Sequence, residues 1–183
     1  MQSKPLVASA AACLFGILGI FGIFGILGTF LLAACGTSAQ EGFAIYLTRD
    51  DVAPARMDSM SHVEPAPEPL VSQADLVSYS GSDHTMQLTR AAVEKLQALQ
   101  VPMTGKSFLV CVDGAPIYWG AFWTMYSSQS FEGVVIKLPL FEADENLVAL
   151  ELGYPGGDFA PAVDPRSDQK IFSSLEEAGK LTY

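Results

Sequence analysis

Lys106-Ser107-Phe108-Leu109-Val110-Cys111-Val112-Asp113-Gly114-Ala115-Pro116-Ile117-Tyr118-Trp119-Gly120-Ala121-Phe122-Trp123 is the stretch that decides the fold. Asp-Gly is a dipeptide that accepts the two successive positive φ angles of a type I′ turn, whose twist suits antiparallel strands. Lys106 to Val112 leads into it and Ala115 to Trp123 runs back, so the spacing predicts a hairpin. On the return strand, alternation places Ile117, Trp119, Ala121 and Trp123 on one face. Tyr118 and Phe122, flanking Gly120, take the other. Both faces are apolar, so this strand is expected at the centre of a sheet and covered on both sides.

Working outward, Phe43 to Thr48 reads as a strand, being rich in β-branched and aromatic residues. Arg49 to Ser61 has room for a short helical turn, which Pro54 keeps from extending. His62 to Pro69, with three prolines, reads as an extended surface loop. Asp75 to Tyr79 is a strand, Gly81-Ser82-Asp83 a turn, and His84 to Leu88 its antiparallel return. Thr89 caps a helix from Arg90 to Gln100, with Ala92, Val93, Leu96 and Leu99 on its inner face. Beyond the hairpin, Thr124 to Ser130 is a polar loop. Val134 to Leu138 and Leu147 to Leu152 are strands, separated by the acidic turn Glu142-Ala143-Asp144-Glu145-Asn146. Gly153 to Pro165 is a Gly- and Pro-rich loop. A last amphipathic helix spans Asp168 to Ala178, with Ile171, Phe172 and Leu175 inward and Gly179 as its stop. The expected fold is α+β: a mostly antiparallel sheet of about six to seven strands with two helices.

The N-terminal part has a different character. Pro5 to Gly36 carries no charge, Lys4 precedes it, and it closes on Leu32-Ala33-Ala34-Cys35. A basic end, an apolar segment and then small residues is the order of a secretory signal. Leu-Ala-Ala-Cys resembles the lipobox of bacterial lipoproteins, which implies cleavage before Cys35 and a diacylglycerol on its sulfur. The run also exceeds the ~20 residues that span a bilayer as a helix, so a retained transmembrane anchor is the alternative. Gly16, Gly19, Gly22, Gly25 and Gly28 recur every third residue. That step drifts around a helix of 3.6 residues per turn and lines no single face. The expected organisation is a signal peptide over 1–34, a tether over 35–41 and one extracytoplasmic domain over 42–183.

All 20 acidic residues lie after Cys35, with all but one of the 10 basic ones. That surface repels nucleic acid, so no nucleic-acid partner is expected. Of the three cysteines, Cys13 leaves with the signal and Cys35 is the lipid site. Cys111 reads as a small apolar residue of a buried strand, without a disulfide partner.

The run from Asp75 to Ile136, about a third of the chain, resembles the head part of the extracytoplasmic domain of the SecD family of protein-export membrane proteins. Asp75-Leu76 opens a segment leading to a strand. Leu88-Thr89-Arg90-Ala91-Ala92-Val93-Glu94-Lys95-Leu96 matches the family's strand-to-helix step. Gly105-Lys106 through Ala115-Pro116-Ile117 looks like its Gly-Lys, apolar strand and Asp-Gly hairpin. SecD proteins span the membrane several times and work with SecF, for which this chain supplies no helices. Tyr118 to Trp123 also departs from the plainer sequence of the family. The resemblance implies a folded module that touches other polypeptides and performs no reaction of its own.

Chemistry is sparse. There is no Gly-x-Ser-x-Gly nucleophile elbow. Asp83-His84 beside Ser80 and Ser82 is a triad fragment in composition, but adjacent strand residues point opposite ways, and a turn with a surface histidine is expected instead. His62 lies in the Pro-rich loop. Asp158, Asp164 and Asp168 form a hard-oxygen set that suits calcium, without EF-hand spacing; no other cofactor is expected. Asp164 and Asp168 also have turn and capping roles. Trp119, Trp123 and Tyr126 are a candidate platform for a sugar or an extended peptide, and core packing beneath the helices is the competing role for the two tryptophans. The function expected is a membrane-anchored, non-catalytic binding module with a protein or peptide partner in the envelope. An envelope-acting hydrolase is the alternative.

Overall fold

The structure is a computed structural model that describes residues 42–57, 59–140 and 146–183. Cys35, the apolar run and the acidic turn up to Glu145 lie outside the described residues. Among the described residues nine strands and two α-helices follow in the order β1 (Phe43–Leu47), β2 (Leu76–Ser80), β3 (Thr85–Leu88), α1 (Arg90–Gln97), β4 (Lys106–Val112), β5 (Ala115–Thr124), β6 (Phe131–Leu138), β7 (Leu147–Ala149), β8 (Glu151–Tyr154), α2 (Gln169–Glu177) and β9 (Leu181–Thr182). The fold is α+β, with two mixed sheets in place of the single sheet expected. One has five strands in the order β1-β4-β5-β6-β8, the other four in the order β7-β3-β2-β9. Each contains one parallel pair, β5 with β6 and β2 with β9.

The hairpin forms as expected. Asp113 and Gly114 take φ angles of 51° and 75°, and β5 occupies the middle of the five-stranded sheet. Its face assignment needs a correction at Ile117. Val110 pairs with Tyr118 and Cys111 with Pro116, so Ile117 is an extra residue in a bulge. A bulge reverses the alternation beyond it, and Ile117 packs against the main core with Tyr118 and Phe122. Trp119, Ala121 and Trp123 do share the opposite face. That face is covered by Val52, Met57, Met60 and Val63 and by Phe131 and Tyr154, not by the two α-helices.

One face of each sheet and both helices share the main core, including Phe43, Phe108 and Phe122 from the larger sheet and Tyr79 and Met86 from the smaller. The helices are cut as their capping residues dictate. Thr89 Oγ1 accepts from the Ala92 amide, and the Asp168 carboxylate accepts from the Lys170 amide. At the far end of α2, Gly179 turns left-handed with φ of 66° and stops it.

Leu147 to Leu152, expected as one strand, is two. β7 pairs with β3 in the smaller sheet and β8 with β6 in the larger. Buried Leu150 is the junction. Its amide donates to the His84 carbonyl at 3.0 Å, and its own carbonyl accepts from Arg166 at 2.5 Å. β9 was not foreseen; it lies parallel to β2, with the Gly81 amide donating to the Thr182 carbonyl at 2.8 Å.

Candidate functional site

The three residues of the aromatic platform part company. Trp123 is only 3% exposed, stacked at 5.1 Å on Phe131 and 5.9 Å from Tyr154. Trp119 is half-buried with its ring edge on Phe131 at 5.6 Å. Trp123 is core and Trp119 packs partly against the core, so among the described residues the two indoles do not form an open platform with Tyr126. Tyr126 alone faces water, 73% exposed.

The acidic set does not converge either. Among the described residues no group of three or more His, Cys, Asp or Glu is placed to hold a metal ion. Asp164 is chelated by Arg166, through Nε at 2.9 Å and a terminal nitrogen at 2.7 Å. That pairing holds its carboxyl below the usual carboxylate range. Asp168 is spent on the cap of α2, and Asp158 sits in the turn Gly157–Phe159. Cys111 is buried, and burial pushes its thiol up to about 12. A thiol that far from ionising is no nucleophile.

His84 departs most from expectation. It is 6% exposed, not a surface residue, with a left-handed φ of 56°. The turn between β2 and β3 drives its ring inward, where Nδ1 meets the Tyr79 hydroxyl at 2.9 Å. Nε2 lies 3.5 Å from Ser167 Oγ and 3.9 Å from Asp164 Oδ2. Burial, and next the Arg166 guanidinium, push the imidazole below its ordinary value. A catalytic relay needs the carboxylate on the ring nitrogen opposite the serine. Here serine and carboxylate share one side and a phenol takes the other, itself raised by burial. The cluster therefore ties the β2–β3 turn to the segment before α2. Its arrangement is not that of a serine relay.

One set of exposed apolar side chains is at an end of the larger sheet, where β5 finishes and the chain approaches β4; Val77, Phe159, Val163 and Tyr183 are exposed elsewhere. Met103, Met125 and Tyr126 are 51%, 43% and 73% exposed. The backbone beneath them is pinned. Buried Ser127 donates from Oγ to the Met103 carbonyl at 2.7 Å. The Tyr154 hydroxyl, reaching from β8, lies 3.0 Å from the Met125 carbonyl and 3.1 Å from that of Ser127. The Met125 amide donates to the Leu138 carbonyl at 3.2 Å. The loop backbone that carries these side chains is thus held on a fixed frame. Gly42 is at the opposite end of β4, where its amide donates to Asp113 Oδ1 at 2.7 Å. Seven residues of strand separate the two ends, roughly 20 Å. Of the three exposed side chains, sequence reasoning names Tyr126 and not Met103 or Met125. The available signal was two methionines in loops, at each end of the apolar hairpin.

No protein-family model, no curated protein and no solved structure matches the chain. The resemblance to SecD therefore rests on the residues quoted for it. Among the described residues no helix is long and apolar enough to cross a membrane.

Proposed function

We propose that the protein is an extracytoplasmic lipoprotein, held to the membrane by acyl chains on Cys35, whose domain binds another polypeptide of the cell envelope and catalyses nothing. The observation that carries the binding role is the pinned loop end bearing Met103, Met125 and Tyr126. A loop whose backbone is already fixed has no further backbone-ordering cost when a partner covers it, and Tyr and Met are enriched at interfaces. The lipobox at Leu32 to Cys35 supports the anchor, and two acyl chains are about what stable anchoring takes. The Asp75–Ile136 resemblance supports contact with polypeptides. A hydrolase is the weaker reading, because His84 has its neighbouring serine and carboxylate on the same ring nitrogen.

Photo-crosslinking tests the binding role. Benzoylphenylalanine in place of Tyr126 is expected to give one discrete adduct with an envelope protein on irradiation of whole cells, and Met125→Ser to weaken it. The same probe at exposed Gln97 on α1 serves as control. No adduct at 126, or the same adducts from both positions, would remove this face as the binding surface.

A further inference from the structure

A groove opens between the β4–β5 hairpin and α2, with a volume of about 850 Å³. That is within the ~300–1,000 Å³ of ligand clefts. Its floor is apolar, formed by Val112, Ala115, Ile117 and Ala178. Gln73 and Asp113 build the wall facing α2, and both are occupied: Gln73 Oε1 accepts from the Phe43 amide at 2.8 Å and Asp113 Oδ1 from that of Gly42.

The α2 side is different. Lys170 and Glu177 stand exposed on it, with Ser173 and Ser174 between them. Among the described residues neither charge has an ion-pair partner. Six cations do: Arg49, Arg90, Lys95, Lys106, Lys137 and Arg166. In a chain with 20 acids and 10 bases, a cation left unpaired beside an apolar floor is a position from which to hold an incoming carboxylate. Seven residues apart on a helix, Lys170 and Glu177 lie on nearly one face, about 10.5 Å apart along the axis.

We propose that this groove takes an extended segment of a partner polypeptide, with an acidic side chain on Lys170 and a basic one on Glu177, three residues apart. In a chain of three residues per turn and ~3.1 Å rise, positions i and i+3 share one edge ~9 Å apart. A second edge of the same prism then rests on the floor. The inference rests on the binding-module reading and names the chemistry of one partner segment.

Fluorescence polarisation on the full chain in detergent tests it, with labelled, end-blocked hexapeptides Pro-Glu-Pro-Pro-Lys-Pro and its double-Glu and double-Lys versions. The mixed peptide is expected to bind roughly threefold to tenfold more tightly than either same-sign peptide, the span of two exposed ion pairs. Lys170→Glu is expected to move the preference to the double-Lys peptide, and Glu177→Lys to the double-Glu peptide. Both variants are expected to melt like the parent, since both side chains are exposed. Absence of saturable binding, equal binding of all three peptides, or a preference unmoved by the charge swaps would overturn the assignment. The adduct at position 126 is read at the other end of β4, so it survives if only the groove fails.

Discussion

His84 is a neutral imidazole held where charge is disfavoured, between the Tyr79 phenol, the Phe172 ring and the Arg166–Asp164 pair, with Asp83 next to it in the chain. Its folded value is pushed below the ordinary 6.5, by burial first and Arg166 second. The unfolded chain therefore takes up the proton more readily. Stability is fully present above pH 6.5 and is lost as pH falls from there toward the lowered folded value. Denaturant midpoints are expected to drop between pH 7.5 and 5.5, and His84→Asn, which tolerates the left-handed backbone, to flatten that slope. Unchanged slopes would remove His84 as the cause. Asp164 and Asp75 act in a separate window, because their lowered values make stability fall only as pH drops through the carboxylate range near 3.8. At Gly120, any Cβ would overlap the Phe108 ring and the Val134 carbonyl oxygen. Gly120→Ala is expected to cost about 1–3 kcal/mol, as other overpacked cores do, measured by urea unfolding.

Elements were legible where a residue type dictated backbone geometry. Asp113-Gly114 announced the hairpin, and Thr89 and Gly179 marked a helix start and a helix stop. They were illegible where pairing alone decided. Leu147 to Leu152 reads as one strand because nothing in its composition marks Leu150; the break exists because two different sheets claim its halves. The bulge at Ile117 is likewise set by the partner strand, and it moved one side chain of the supposed aromatic face into the core. β9 is two residues long, too short for any periodicity. Its contribution is nonetheless measurable: the Thr182 carbonyl accepts from Gly81, its hydroxyl donates to the Tyr79 carbonyl at 3.1 Å, and half-buried Leu181 packs on the core. Deleting residues 181–183 is expected to cost about 1–3 kcal/mol, from two hydrogen bonds and one partly buried side chain. A thermal melt reads it, and an unshifted transition would make β9 dispensable.

For the molecule as a whole, the proposed anchor rests on local residues, whereas the proposed binding face rests on the fold. Tyr126 is legible as an aromatic residue in a polar loop; nothing in the sequence marks that Ser127 and Tyr154 bond the backbone of that loop and of Met103. Under the proposed anchoring, mass spectrometry of the mature protein is expected to find a lipid-modified N-terminal Cys35, and Cys35→Ser to abolish that modification. An intact Met1 in the membrane fraction would refute cleavage. The sheet connectivity adds a consequence for how such a chain reaches its destination. β1 waits for β4, more than sixty residues on, and β2 finds one of its two neighbours only at Leu181–Thr182. Contacts so distant along the chain make folding slow. A half-synthesised chain cannot complete the smaller sheet; under the proposed anchoring, that leaves the last strand to be added only once the whole chain has crossed the membrane.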